Sequence, residues 1–263
     1  MTTLLCIPQW QGSSSPHALH LREGARQTAS LVPADASVEV PVLDADGEKV
    51  AGVRRLEVLK ENLWLTQHAL AGIDDVVLTA GGDCGVELAP IAAARARYGD
   101  DLTVLWIDAN ADVSTPDTLP SGSFHGMVLR TLLGEGAADL LPDEPLMPEQ
   151  VVLAGIRAFE PGQREYLDDA GIRWWGVVGF ERALDGLDGP VYVHVDLDVL
   201  DPEEFGSVCY REPDGPAVQQ VIDMIGGVDE IVGASVTEHA PRDDADLARD
   251  ADVVRRIGAA LCR

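Results

Sequence analysis

Short apolar runs recur along the chain at residues 4–7, 38–42, 76–79, 102–107, 151–154, 172–177, 191–195 and 231–236. Runs this short, with little polar alternation, are the pattern of strands buried on both faces. Between most of them lie longer stretches, 53–71, 86–98, 160–170, 217–225 and 245–261, where apolar residues return every three or four positions as on one face of a helix. The alternation predicts an α/β fold: a mainly parallel sheet of about eight strands with helices on both faces, in three αβα layers. The most irregular stretch, 134–148, is short and mixed, and no repeat appears at solenoid periods. Residues 1–263 are therefore expected to form a single domain.

In open sheets of this kind, ligands bind beyond the carboxyl ends of the strands, and the polar residues gather there. Gly81-Gly82-Asp83-Cys84 follows the third run, and Asp108-Ala109-Asn110-Ala111-Asp112 follows the fourth. Asp196-Leu197-Asp198 closes the seventh and Glu238 follows the eighth. In extended backbone Asp108, Asn110 and Asp112 would point to one side, as would Asp196 and Asp198. Four carboxylates are thus expected to face one pocket. Crowded acids raise one another's pKa and are unfavourable unless protons or cations are bound. Two divalent ions would balance four aspartates, and paired metals about 3.5–4 Å apart lower the pKa of a bridging water. Hydrolysis is the chemistry that follows.

Charge narrows the partners. The formal net charge is −26, with a sequence pI near 4.3, so the surface repels nucleic acid and anionic membranes. Neither is expected as a partner. The four cysteines, Cys6, Cys84, Cys209 and Cys262, form no dense framework and no CxxC pair, which fits a reduced, cytoplasmic protein. The run at 4–7 has no basic residue before it and is too short for a signal-peptide core.

Several of these residues together resemble the motifs of the arginase (ureohydrolase) family. They are Gly-Gly-Asp-Cys at 81–84, Trp106-Ile107-Asp108-Ala109-Asn110-Ala111-Asp112, Thr115-Pro116, Ser121-Gly122-Ser123-Phe124-His125-Gly126-Met127 and Asp196-Leu197-Asp198-Val199-Leu200-Asp201-Pro202. Their order and spacing match over residues 75–241. The resemblance implies one α/β domain and a dinuclear manganese centre that hydrolyses guanidino compounds such as arginine or agmatine to urea and an amine. Carried over position by position, Asp108 and Asp196 bridge both metals, Asp112 and Cys84 complete one, and Asp198 and Asn110 complete the other. The family usually has histidine at both 84 and 110. A thiolate at 84 shifts preference from manganese toward zinc, cobalt or iron, and the neutral carboxamide of Asn110 is a weaker donor than imidazole.

For a small cationic guanidino substrate, the resemblance gives Glu238 the grip on the guanidinium and Glu160 the α-amino group. It gives Ser114, Ser121 and Ser123 the carboxylate. His125 matches the proton-shuttling histidine, and its ordinary pKa near 6.5 suits acid–base work at neutral pH. Asp112 would orient the attacking group. The family forms trimers and hexamers, which leaves a homo-oligomer open here. Taken alone, Gly81-Gly82-Asp83 is a turn with Asp83 capping the next helix, while His17, His20, His68 and His194 are ordinary surface or core histidines. A competing expectation is a catalytically degraded member that binds a metal or cationic ligand, motivated by Cys84 and Asn110.

Overall fold

The computed structural model describes residues 1–262. The chain runs β1 (Thr2–Ile7), α1 (His20–Leu31), β2 (Ala36–Glu39), then a small hairpin of β3 (Lys49–Val50) and β4 (Val53–Arg54), α2 (Leu56–Leu70), β5 (Val76–Gly81) and α3 (Leu88–Tyr98). It continues with β6 (Thr103–Ile107), α4 (Val128–Leu132), β7 (Val151–Ala154), α5 (Gln163–Ala170) and β8 (Arg173–Trp175). The last elements are β9 (Val191–Asp196), α6 (Val218–Gly226), β10 (Ile231–Thr237) and α7 (Asp244–Leu261).

Eight strands, one from each apolar run, form a single parallel sheet in the order β2-β1-β5-β10-β9-β6-β7-β8. The runs are continuous because both faces are covered. Leu105, Ile107, Val193 and Val195 pack on one side with α6 and α7, and Val104, Trp106 and Tyr192 pack on the other with α2, α3 and α4. The expected α/β three-layer architecture is the observed one.

The helix beginning at 160 starts instead at Gln163, because Pro161 and a left-handed Gly162 precede it. Helix α1 was not anticipated. Its buried face is Leu21, Gly24, Ala25 and Thr28, a helical spacing written mostly in small residues that carry little apolar signal. Gly24 is required there, since a Cβ would run into the His239 carbonyl.

Register positions the site. Ile107 pairs with Val195 and Thr237 with Asp196, so Asp108 emerges beside Asp196, with Glu238 one residue past the neighbouring strand. The carboxyl ends of β5, β10, β9 and β6, the middle of the sheet, supply every residue of the cluster described next.

Candidate metal centre and its cavity

Asp108 and Asp196 end their strands in the same way. Asp108 Oδ1 accepts the backbone N–H of Asn110 at 2.7 Å, and Asp196 Oδ1 accepts that of Asp198 at 2.7 Å. Each carboxylate thereby captures an amide that would otherwise continue the ladder, which is an Asx turn. This corrects the expected extended alternation. Asp198 lies in a 3₁₀ turn, Leu197–Val199, capped by Asp196, and Asp112 is left-handed with φ 52°. The quartet converges through turns.

Cys84 arrives from the other side, opening the 3₁₀ turn Cys84–Glu87 after β5. Gly82 lets the chain pass against Gln9, whose carbonyl any Cβ at 82 would strike. Asp83 is a brace: it accepts the amides of Gly85 and Gly12 at 2.9 Å each and the Gln9 side chain at 3.2 Å. The Cys84 thiol donates to Asp196 Oδ2 at 3.0 Å and lies 3.1 Å from Thr237 Oγ1 and 3.7 Å from His194 Nε2. Its backbone N–H donates to Glu238 Oε1 at 3.2 Å. Glu238, like Asp112, is held left-handed, at φ 62°, strain of about 1–3 kcal/mol that surrounding structure must over-determine.

Burial pushes the carboxyls of Asp112, Asp196 and Asp198 well above the ordinary range, and their mutual charges push further. Asp108 is raised by burial too, although the nearby His194 opposes the shift. Burial and the adjacent carboxylates also hold the Cys84 thiol well above its usual value. Among the described residues, no lysine or arginine forms an ion pair with any of the four aspartates. Arg157 is close, but its guanidinium binds the carbonyls of Gly155, Asp198, Glu212 and Pro213. Asp198 Oδ1 is buried with no hydrogen-bond partner. Four buried acids, a thiol and an orphaned carboxylate oxygen fit divalent cations, which would supply the missing positive charge.

Asn110, Asp112, Asp196 and Asp198 line a cavity of about 290 Å³ together with Ser121, Ser123, His125 and Glu160. His125 Nδ1 is 3.1 Å from Glu238 Oε1. Burial opposes the charged imidazole, yet the Glu238 hydrogen bond and the charges of Glu238, Asp83 and Asp108 raise its pKa overall. Glu238 Oε2 is buried without a partner. Ser114 is placed differently from the expectation: it is buried behind the wall, accepting a 3.0 Å hydrogen bond from Gln163 Nε2, and Gln163 is the residue that faces the cavity.

Besides Gln163, three polar lining residues carry no signal in the sequence. Ser14 receives the Ser123 hydroxyl at 2.6 Å, Tyr210 lies 5.6 Å ring to ring from His125, and Glu212 adds an acid. All sit on loops with no periodic signal. His194, an ordinary core histidine by sequence, joins Cys84, Asp108 and Asp196 in a set whose ligand atoms all lie within 4.8 Å of one another, with its Nε2 facing the Cys84 thiol. A signal existed: in a strand, residue 194 shares a face with 196.

Fold and site define a parallel α/β protein with a buried, metal-ready acidic centre at the carboxyl edge of its sheet. The Arginase family model matches residues 15–262, and the chain belongs to that family. It is 30% identical over 257 residues to an N(omega)-hydroxy-L-arginine amidinohydrolase of Streptomyces lavendulae, covering 93% of this chain and 92% of that one. It is also 30% identical over 204 residues to an arginase of Staphylococcus aureus (strain MSSA476), covering 66% and 67%. The arginase of Entamoeba histolytica, solved in complex with L-ornithine, superposes with a TM-score of 0.87 at 20% identity, covering 99% and 98% of the two chains. Among the described residues no helix is long and apolar enough to cross a membrane.

Proposed function

We propose that this chain is a metal-dependent hydrolase that releases urea, or a substituted urea, from the guanidino group of a small, cationic, arginine-like substrate. The observation that carries the reading is the convergence of Asp112, Asp196 and Asp198 on one cavity, whose wall also holds His125, with Asp108 fully buried and Glu238 paired to His125. Cys84, Asp108, Asn110, Asp112, Asp196 and Asp198 are the candidate holders of two divalent ions. Manganese is the family's usual metal, and Cys84 makes zinc, cobalt or iron competitive. When bound, such ions supply Lewis acidity and make water acidic enough to attack at neutral pH.

The chain's own residues do the rest. Glu238 has one oxygen committed to His125 and the Cys84 amide and the other without a partner, so that oxygen is free to accept a guanidinium N–H. Asp112 accepts a hydrogen bond from the attacking water and aims it at the guanidino carbon. As the carbon–nitrogen bond to the side chain breaks, His125, anchored through Nδ1, delivers a proton to the leaving amine. Glu160 and Glu212 at the cavity wall favour an α-ammonium group, and Ser121 and Ser123 offer hydroxyls to a carboxylate. The amidinohydrolase relative names N(omega)-hydroxy-L-arginine as a candidate beside arginine.

A screen for release of urea from arginine, agmatine and guanidinobutyrate and of hydroxyurea from N(omega)-hydroxyarginine, each with manganese, zinc and cobalt, tests the reading. Turnover of at least one compound is expected. His125→Ala should then lower kcat by about 10²–10⁴-fold with metal content unchanged. A metal-loaded protein inert toward all of them supports the second reading, a binding protein without turnover, which the neutral Asn110 favours.

A further inference from the structure

Beneath the cavity floor, Cys84, Asp108 and His194 are fully buried and Asp196 nearly so. Of these four only Asp196 reaches the cavity wall, whereas Asn110, Asp112 and Asp198 all line it. The acidic centre therefore has an inner and an outer set of donors. A tetrahedral ion with bonds of about 2.3 Å to sulfur and about 2.0–2.1 Å to imidazole nitrogen holds those two atoms about 3.6 Å apart. Cys84 Sγ and His194 Nε2 stand 3.7 Å apart. The thiol's shorter contact with Asp196, 3.0 Å, is a hydrogen bond that a bound ion would replace.

The imidazole is held on every other side. Its Nδ1 meets Ser235 Oγ at 3.0 Å and lies 3.6 Å from Glu87 Oε1, and its ring stacks on Trp106 with centroids 3.6 Å apart. Trp106 Nε1 in turn donates to Asp108 Oδ2 at 2.9 Å. Glu87 is fully buried and neither of its oxygens has a well-formed hydrogen bond, although the Tyr192 phenol is near enough to feel its charge. A carboxylate behind the far nitrogen of a metal-bound histidine fixes its tautomer and strengthens it as a donor. That arrangement accounts for an otherwise unexplained acid in the core.

We infer that the inner ion of this chain is bound by Cys84, Asp108, His194 and Asp196. His194 supplies the nitrogen donor that the family resemblance would have placed at 84, and Asp112 belongs to the outer, cavity-facing set with Asp198 and Asn110. One sulfur, one nitrogen and two oxygens in a closed four-coordinate site select zinc over manganese. The inner ion is a fixed part of the structure, and the outer position keeps room for water and substrate. The inference rests on the presence of a metal centre, as the proposed hydrolase does, but not on turnover.

Wild-type protein stripped of metal is loaded with one equivalent of zinc, or of cobalt(II), and crystals are measured at the metal's absorption edge. We expect an anomalous peak bonded to Cys84 Sγ and His194 Nε2, and a thiolate-to-cobalt charge-transfer band in the near ultraviolet. His194→Gln should keep the band and weaken zinc by more than the roughly 10–100-fold that loss of an outer partner costs. A peak bonded by Asp112 and not by His194 overturns the inference, and so does a folded His194→Gln that binds zinc like wild type. The wild-type peak decides the matter if the variant does not fold. Failure to bind any metal overturns this inference and the hydrolase together. An ion on His194 in a protein that releases neither urea nor hydroxyurea overturns the hydrolase alone.

Discussion

Two groups of buried aspartates sit in this molecule under opposite electrostatic regimes. On α7, Asp246 and Asp250 are buried one turn apart. Arg242 and Arg249 each reach Asp246 at 2.8 Å, and Arg249 holds both oxygens of Asp250 at 2.8 and 3.0 Å. The Arg242 hydrogen bond, with help from Arg249, keeps the Asp246 carboxyl well below the ordinary range. At the sheet edge, Asp112, Asp196 and Asp198 are equally buried and shifted the other way, with only the distant charge of Arg157 acting on Asp198 and no arginine ion-paired to any of them. Burial of an acid therefore does not mark a site by itself. A buried acid whose counter-charge the chain withholds does.

The largest effect expected from this contrast comes from Asp196→Asn combined with Asp198→Asn. Metal binding and urea release should disappear, while the metal-free variant should melt no lower than metal-free wild type near pH 8, because self-repulsion has been removed. Metal analysis and calorimetry check both halves, and a large drop in Tm would mean that the quartet stabilises the fold without ions. Next, Arg249→Ala should destabilise the protein by roughly 1–3 kcal/mol, or a Tm loss of about 2–8 °C, because Asp250 is left buried without its partner. The value should fall toward the low end, since the guanidinium is half exposed, and metal content should not change.

Asn110→His sharpens the comparison at smaller amplitude. Imidazole is a stronger donor than a carboxamide oxygen, so titration calorimetry should show the outer ion bound about 10-fold more tightly, with higher turnover. Unchanged affinity would remove Asn110 from the ligand set.

The smallest effect is a difference in pH slope. Acids with raised folded pKa contribute stability below their unfolded pKa and lose it as pH rises through the folded value. Asp83, pushed up to about 6 by burial and by Glu238, and the quartet should therefore make metal-free protein less stable as pH climbs from about 4 toward neutrality. Asp246 has the reverse sign: its contribution is present above its unfolded pKa and lost only as pH falls through its depressed folded value. Thermal melts across pH, with Asp246→Asn as control, should leave the first slope intact and change only the acid limb. Added metal should flatten or invert the first slope, since it binds the ionised carboxylates.

Much of this was legible from residues in order. The eight apolar runs correspond to the eight sheet strands, because strands covered on both faces carry unbroken signal. The acids at their carboxyl ends were visible for the same reason. Helix α1 was hidden because close packing against His239 selects Gly24 and Ala25 over larger apolar residues. Ser114 was misplaced because a loop's inward and outward faces have no period, and Gln163, the first residue of α5, faces the cavity in its stead. His194 was obscured by its apolar neighbours, which read as core. Its partner Cys84 lies 110 residues away, and only the folded sheet brings the two together.

That sheet is assembled in an order with consequences for when the centre can exist. β10 lies between β5 and β9, so the strand synthesised last among the eight is the one that joins two halves. Before it inserts, Cys84 follows β5 in one half, and Asp108 and Asp196 belong to β6 and β9 in the other. Glu238, which ties the Cys84 amide, has not yet emerged when those strands are made. A chain without β10 in place can therefore present isolated acids and a lone thiol to metal ions, but not the joined donor set. Any metal bound by the joined set can be captured only after β10 has closed the middle of the sheet.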